Sequence, residues 1–516
     1  MILDTNKFIH QKSLDKVKVS LLFLNFITSL FQIIISKFSL ETLQILMIIN
    51  ISSLLTYNIA FNKNNLISNL IGSFMIIAFN IYFFLGPLLI KTFLIQQITS
   101  NLFLPVKSFT LAFFFQISVL LAFSTIIKIE KNNNNLDYKK SILYRLKAFS
   151  YFDLSSTIKF FVLLLSIKIY LNIIDRSGSI TESGNIITKF LFGLEGFFYA
   201  PLIFYFSLYF YWNKISQKHF KIFLLINCVL FILFALLSNS RTQMAIGFFA
   251  ILLNFVIVFM FSNDKDYKKN IKYFVIFILL LSIIFQGLSD ILIKKRVLYD
   301  QVNPVDMLKF SMGINNFETP DEDISMGRDF EDYTGNGVLN RFTVIKYFDK
   351  TLFQSSSLSP NQIKEFKNFT YMKMLAFLPE NLIRVFNKDY QKKKYFISSG
   401  SYIEQRSGFR MGGNFSKGSI FTDLILLTNS YLLSCLVLYI LYLILFKIIT
   451  IFQIRDKNYI IYSPLLILAT YDFINFVNAG NFLSFFSLTI RMPIQYSIIY
   501  FLLNILLNKS QNKKSI

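Results

Sequence analysis

Residues 420–446 read IFTDLILLTNSYLLSCLVLYILYLILF, with Asp423 as the only charged side chain. An α-helix needs roughly 18–25 apolar residues to cross the hydrocarbon core of a bilayer. This run has that length, and runs like it recur on both sides of it. A transmembrane barrel would instead show alternating residues in short strands. The expected fold class is an all-α polytopic membrane protein.

Working outward from that run, about twelve membrane-crossing helices are expected. They fall near Val19–Ser36, Thr42–Phe61, Leu66–Ile90, Ser108–Ile127, Thr157–Ile174, Phe190–Tyr211, Ile222–Asn239, Gln243–Phe261, Tyr273–Leu288, Ile420–Phe446, Ile460–Asn478 and Phe485–Leu507. Residues 1–288 then carry spans one to nine, and 289–417 form one large, partly helical external loop. Residues 418–516 carry spans ten to twelve and a tail. The loop is the chain's only long polar segment, and loops of this length are uncommon unless they fold or do chemistry.

Composition excludes other classes. The chain of 516 residues is 54% hydrophobic and contains 62 Phe, with a mean hydropathy of +0.53. The net charge of +23 is spread over many short loops rather than gathered on one face. Basic cytoplasmic loops explain it better than nucleic acid, which is not an expected partner. Cys228 and Cys435 both sit in apolar spans and support neither a disulfide framework nor a metal site. No metal and no cofactor is expected. The polar N-terminus lacks a small-residue cleavage site, so it reads as a tail before a first permanent span.

Charge in the short loops tests the span count, because one error inverts every later loop. With the N-terminus inside, the cytoplasmic loops hold Lys63, Lys128 to Lys147, Lys214 to Lys221, Lys265 to Lys272 and Lys447 to Lys457, and the tail holds Lys509, Lys513 and Lys514. The opposite short loops are sparse in charge. Both termini are therefore expected in the cytoplasm, with the long loop outside.

Charges within a membrane cost several kcal/mol unless paired or hydrated, so they mark function by default. Lys168, Glu195, Asp423, Asp472 and Arg491 all fall in the half of the bilayer that faces the long loop. A polar cavity open to that side accounts for their shared depth; an internal ion-pair network, such as Asp472 with Arg491, is the structural alternative. Arg241 lies in the tight turn Ser238-Asn-Ser-Arg-Thr242, where a guanidinium can fork onto a phosphate. The loop begins with Lys294, Lys295 and Arg296, carries an acidic run from Glu318 to Asp332, and closes on Glu404, Arg406, Arg410, Gly412 and Gly413. Glycines let backbone N–H groups approach an anion closely. The acidic run lacks the spacing of a calcium loop. Residues 360–387 show helical spacing of apolar side chains, as in a segment that packs over the bundle or lies on the membrane surface.

A lipid diphosphate bearing a sugar would use these groups well. Arg241, Arg296, Arg406, Arg410 and Arg491 would hold the diphosphate or glycan and stabilise its charge as it leaves. A carboxylate with a raised pKa, among Glu195, Asp423, Asp472 and Glu404, would take the proton of an attacking sugar hydroxyl. The residues leave the choice among the four open.

About twelve spans, a large external loop before the last three, the SNSRT turn leading into an apolar helix, and the stretch GGNFSKGSIFTDLILLTNSYLL into span ten together resemble the O-antigen polymerases of the Wzy type. This resemblance implies a metal-independent glycosyltransferase of the bacterial inner membrane in lipopolysaccharide or other surface polysaccharide biosynthesis. It would transfer a growing glycan from undecaprenyl diphosphate onto a lipid-linked oligosaccharide repeat unit. It also implies membrane lipids, a flippase and a chain-length regulator as partners, and matches Arg241, Arg406 and Arg410 to arginines that contact diphosphate or glycan. An O-antigen ligase shares the architecture but is expected to need a histidine in the large loop, and residues 289–417 hold none. A polysaccharide flippase or other transporter usually divides into two related halves with short loops. No such repeat is visible.

Overall fold

The computed structural model describes residues 2–4, 8–132, 142–173, 191, 193–237, 241–261, 343–378, 380–395, 397–408, 418–455 and 459–507. The ninth expected span, the acidic run, Lys294, Lys295, Arg296, Arg410, Gly412, Gly413 and the side chain of Arg241 lie outside the described residues.

The chain is built of helices. Among the described residues, nine are long and apolar enough to cross a membrane. The elements used below are β1 (Ile2–Asp4), α1 (Gln11–Ile35), α2 (Leu40–Ala60), α3 (Leu70–Phe93), α4 (Pro105–Asn132), α5 (Leu154–Ile173), α6 (Ala200–Phe210), α7 (Gln217–Leu237) and α8 (Arg241–Met260). The loop then supplies α9 (Ile345–Ser355), α10 (Pro360–Leu375), α11 (Glu380–Phe386) and α12 (Ser399–Arg406). After it come α13 (Ile420–Thr428), α14 (Tyr431–Ile451), β2 (Gln453–Arg455), β3 (Tyr459–Tyr462), α15 (Pro464–Ala479) and α16 (Phe482–Leu507).

The stretch 420–446 is not one span. Asn429 adopts the left-handed conformation, at φ 54°, and ends α13. Ser430 then caps a new helix, its side chain accepting from the Leu433 N–H. Asparagine tolerates this backbone better than other non-glycine residues, and serine is a preferred N-cap. At 9 residues, α13 is about 14 Å long, too short to cross. The crossing helix is α14.

Both ends of the bundle are defined by contacts. At one end the N-terminal strand joins a three-stranded antiparallel sheet of order β1-β3-β2, with Ile2 opposite Ile461 and Ile454 opposite Ile461 on the other side. There too the Ile9 N–H donates to Met260 O at 2.7 Å, the Lys63 N–H donates to Gln11 Oε1 at 2.8 Å, and Lys447 pairs with Glu130 at 2.7 Å. The segments holding Lys63, Glu130 and Lys447 therefore share one face with the N-terminus, as the alternation of basic loops requires. The loop helices occupy the opposite end. Gln354 and Lys350 of α9 lie there, and Phe377, just past α10, stacks on Phe486 of α16 at 5.5 Å.

The loop does more than cover that end, because α9 is inserted among the spans. Residues Ile81–Leu85 of α3 form a π turn, which disturbs the regular ladder of carbonyl acceptors. The Val344 N–H donates to Tyr82 O within that turn at 3.0 Å. Phe348 then packs edge-on to Phe421 at 5.7 Å, and Phe421 stacks on Phe115 of α4 at 4.8 Å. Asp349 ties α9 to the start of α4. Its carboxylate accepts from the Phe103 and Leu104 N–H groups at 2.6 and 2.8 Å and from the Ser108 hydroxyl at 2.8 Å. Irregular backbone at such depth is tolerated where protein buries it or where it lines a cavity.

Candidate functional site

Four helices, α9, α10, α12 and α13, pack against one another, and their shared interface is polar. The first turn of α13 places Asp423 there, 2% exposed. Lys373, in the last turn of α10, and Ser399, at the start of α12, are its electrostatic neighbours. Burial pushes the Asp423 carboxyl up to about 7; Ser399 and the Lys373 ammonium pull the other way. Burial likewise lowers the pKa of Lys373, and Asp423 opposes that shift. Lys373 also donates to Ile397 O at 2.5 Å. On the far side of α12, Glu404 meets Lys350 of α9 at 3.9 Å, both side chains buried. Thr351 and Thr422 join α9 to α13 by a hydroxyl contact of 2.8 Å.

Orphaned polar atoms mark this interface. Asp423 Oδ1, Glu404 Oε1, Ser399 Oγ, Thr370 Oγ1 and both polar atoms of the Gln354 amide are buried with no hydrogen-bond partner among the described residues. Each such group costs about 1–3 kcal/mol if left so. Buried polar groups of this kind call for water or a polar ligand. Gly418 lets the chain pass close beside it: a Cβ there would lie 2.0 Å from Ser399 Oγ and 2.7 Å from Gly400 N. Only glycine at 418 passes this near Ser399 and Gly400 without displacing the α12 backbone.

The five charges expected in one chamber do not all meet. Asp423 belongs to the interface just described, together with Glu404. Lys168 of α5 and Glu195 form an ion pair elsewhere, with Lys168 buried. Glu195 Oε1 also accepts from Gln243 Nε2 of α8 at 3.3 Å, and the Tyr199 hydroxyl donates to Gln243 O at 2.9 Å. A carboxylate held this way ties α5, the segment before α6, and α8 together. Asp472 and Arg491 make no ion pair with each other; Tyr496 of α16 lies within electrostatic reach of both. Arg491 is exposed, and its Nε–H donates to Gln495 Oε1 at 3.2 Å.

Arg406 ends α12 on the surface. It pairs with Glu365 at 3.3 Å and lies over the Tyr402 ring at 5.6 Å, so its charge is already met outside the polar interface. Arg241 opens α8, a helix N-terminus suited to anions, though its side chain is outside the described residues. Sequence reasoning passed over Lys373, Lys350, Gln354 and Asp349. A signal for α9 was present: Ile345, Phe348 and Leu352 recur at helical spacing, with Lys350, Asp349 and Gln354 between them.

The apolar clefts lined by Tyr199, Phe249 and Tyr471 and by Phe452, Phe473 and Tyr496 do not reach the Asp423 interface. Compared with protein-family models, with curated proteins and with solved structures, the chain has no match.

Proposed function

We propose that this membrane protein polymerises lipid-diphosphate-linked oligosaccharide repeat units into a surface polysaccharide, at the face of a bacterial inner membrane opposite its N-terminus. The observation that carries the reading is the polar interface that α9, α10 and α12 of the large loop build against α13. It sits at the loop end of the bundle, where a substrate with an acyl tail and a hydrophilic head would meet water. In this reading Asp423 takes the proton from the attacking sugar hydroxyl, since a base works best with a pKa near the working pH. Glu404 orients the glycan through Lys350 and Gln354, and Lys373 steadies the charge on Asp423. Arg241, Arg296, Arg410 and Arg491 remain the proposed contacts to the leaving diphosphate. Arg406 keeps a role only at the rim.

The test is deletion of the gene in its host, followed by electrophoresis of the surface glycan. Loss of the chain-length ladder with one repeat unit retained supports polymerisation. Loss of that unit as well points to export and removes the proposal.

A further inference from the structure

The described part of the loop also carries an apolar face that no other described element covers. In α11, Leu382, Val385 and Phe386 recur at i, i+3 and i+4 and are 55%, 72% and 92% exposed, while Ile383 faces inward at 3%. A short amphipathic helix that turns its larger apolar side chains outward is expensive in water and has a use only against a greasy surface. Its position shows which surface that is. Phe377, three residues before α11, stacks on Phe486 in the first turns of α16. From there α16 shows Ile490, Ile494 and Ile498 outward at 40%, 57% and 50%, the spacing of one helix face turned to acyl chains. Phe377 thus ties the segment leading into α11 to the end of α16 from which that exposed stripe runs.

Charge agrees with that placement. Lys388, Lys393 and Lys394 follow directly and are exposed, and Lys392 is half-buried beside them. Over residues 380–395 there are five basic residues, Arg384, Lys388, Lys392, Lys393 and Lys394, against Glu380 and Asp389. Arg384 already pairs with Glu380 at 2.5 Å. Lys392 donates to Leu378 O at 3.2 Å, and the net positive charge of the segment is carried by its four lysines. Basic residues flanking an apolar face attract anionic lipid headgroups.

We propose that α11 and the lysines after it are an interfacial anchor: Leu382, Val385 and Phe386 insert into the leaflet at the loop end of the bundle, and the lysines bind anionic phospholipid headgroups there. The anchor holds α10 and, through it, Lys373 at a fixed height above the bilayer. It rests on the exposed face and its charges alone, not on the reaction proposed above.

The test uses the full-length protein in vesicles. Trp212 is the chain's one tryptophan, so F386W in a W212F background reports on this site alone, and V385W in the same background serves as a second reporter. Vesicles contain phosphatidylglycerol or only phosphatidylcholine, with or without bromine on the acyl chains. The expected result is that bromine removes about half of the emission in phosphatidylglycerol vesicles, and clearly less in phosphatidylcholine or at high salt. Emission that bromine leaves unchanged in both reporters overturns the insertion, whether the tryptophan is in water or against another protein surface. Equal quenching in the two lipids, unaffected by salt, overturns the headgroup assignment.

Discussion

Replacing Asp423 with asparagine should make the protein more stable and less active. Burial raises the carboxyl from an ordinary 3.8 to about 7. In the unfolded chain the same group loses its proton near its ordinary value. Stability is therefore fully present below about pH 4 and declines as pH rises toward 7, because only the unfolded state has released the proton. Within that window the slope is at most about 1.4 kcal/mol per pH unit. Asparagine keeps the shape and cannot ionise. The variant should match the wild type near pH 4 and melt a few degrees higher at pH 8. Lys373 loses its counter-charge in D423N, which trims the gain; the double variant K373M/D423N should recover it. In the host, D423N should shorten the glycan ladder sharply, as loss of a general base slows proton transfer by about 10²–10⁴-fold. The assays are thermal unfolding in nanodiscs between pH 4 and 8 and surface-glycan electrophoresis. An Asp423→Asn protein that melts lower than the wild type at pH 8 refutes the burial argument. A full-length ladder in D423N refutes the assignment of the base.

Two further substitutions test the scaffold around the site. Asp349→Ala strands the Phe103 and Leu104 amides that its carboxylate now satisfies. A loss of about 1–3 kcal/mol is expected, read as faster hydrogen exchange at those two amides; unchanged exchange would mean that α9 is held by its aromatic contacts instead. For the Lys168–Glu195 pair, K168M or E195Q alone leaves one charge without its partner and should cost about 3–5 kcal/mol. The double variant K168M/E195Q should recover most of that loss in a thermal melt. If it melts no higher than either single variant, the two side chains do not act as a pair.

How much of this was legible beforehand depends on whether the information was local. The crossing helices α1, α2, α3, α4, α5, α7, α8, α14 and α16 follow from length and apolarity, because a bilayer-spanning segment must satisfy its own backbone hydrogen bonds. The helical spacing in residues 360–387 was legible from its apolar periodicity: α10 packs by Phe366 and Phe369, while α11 leaves Leu382, Val385 and Phe386 exposed. The break at Asn429 was written in Thr-Asn-Ser, but it was outweighed by the apolar residues on both sides. The insertion of α9 was hidden, since its sequence is as polar as a surface loop.

Sequence alone, then, determined that this chain crosses a membrane many times and that the segments holding Lys63, Glu130 and Lys447 share a face with the N-terminus. Hydropathy and charge suffice for that, because the bilayer acts on each segment separately. Only the tertiary structure decided that Glu195 is engaged by Lys168, that Arg406 pairs with Glu365 at the surface, and that Asp423 stands with Lys373 and Ser399 while Glu404 meets Lys350. Those outcomes depend on which distant residues meet, and the charge state and reach of a side chain are set by the groups packed around it.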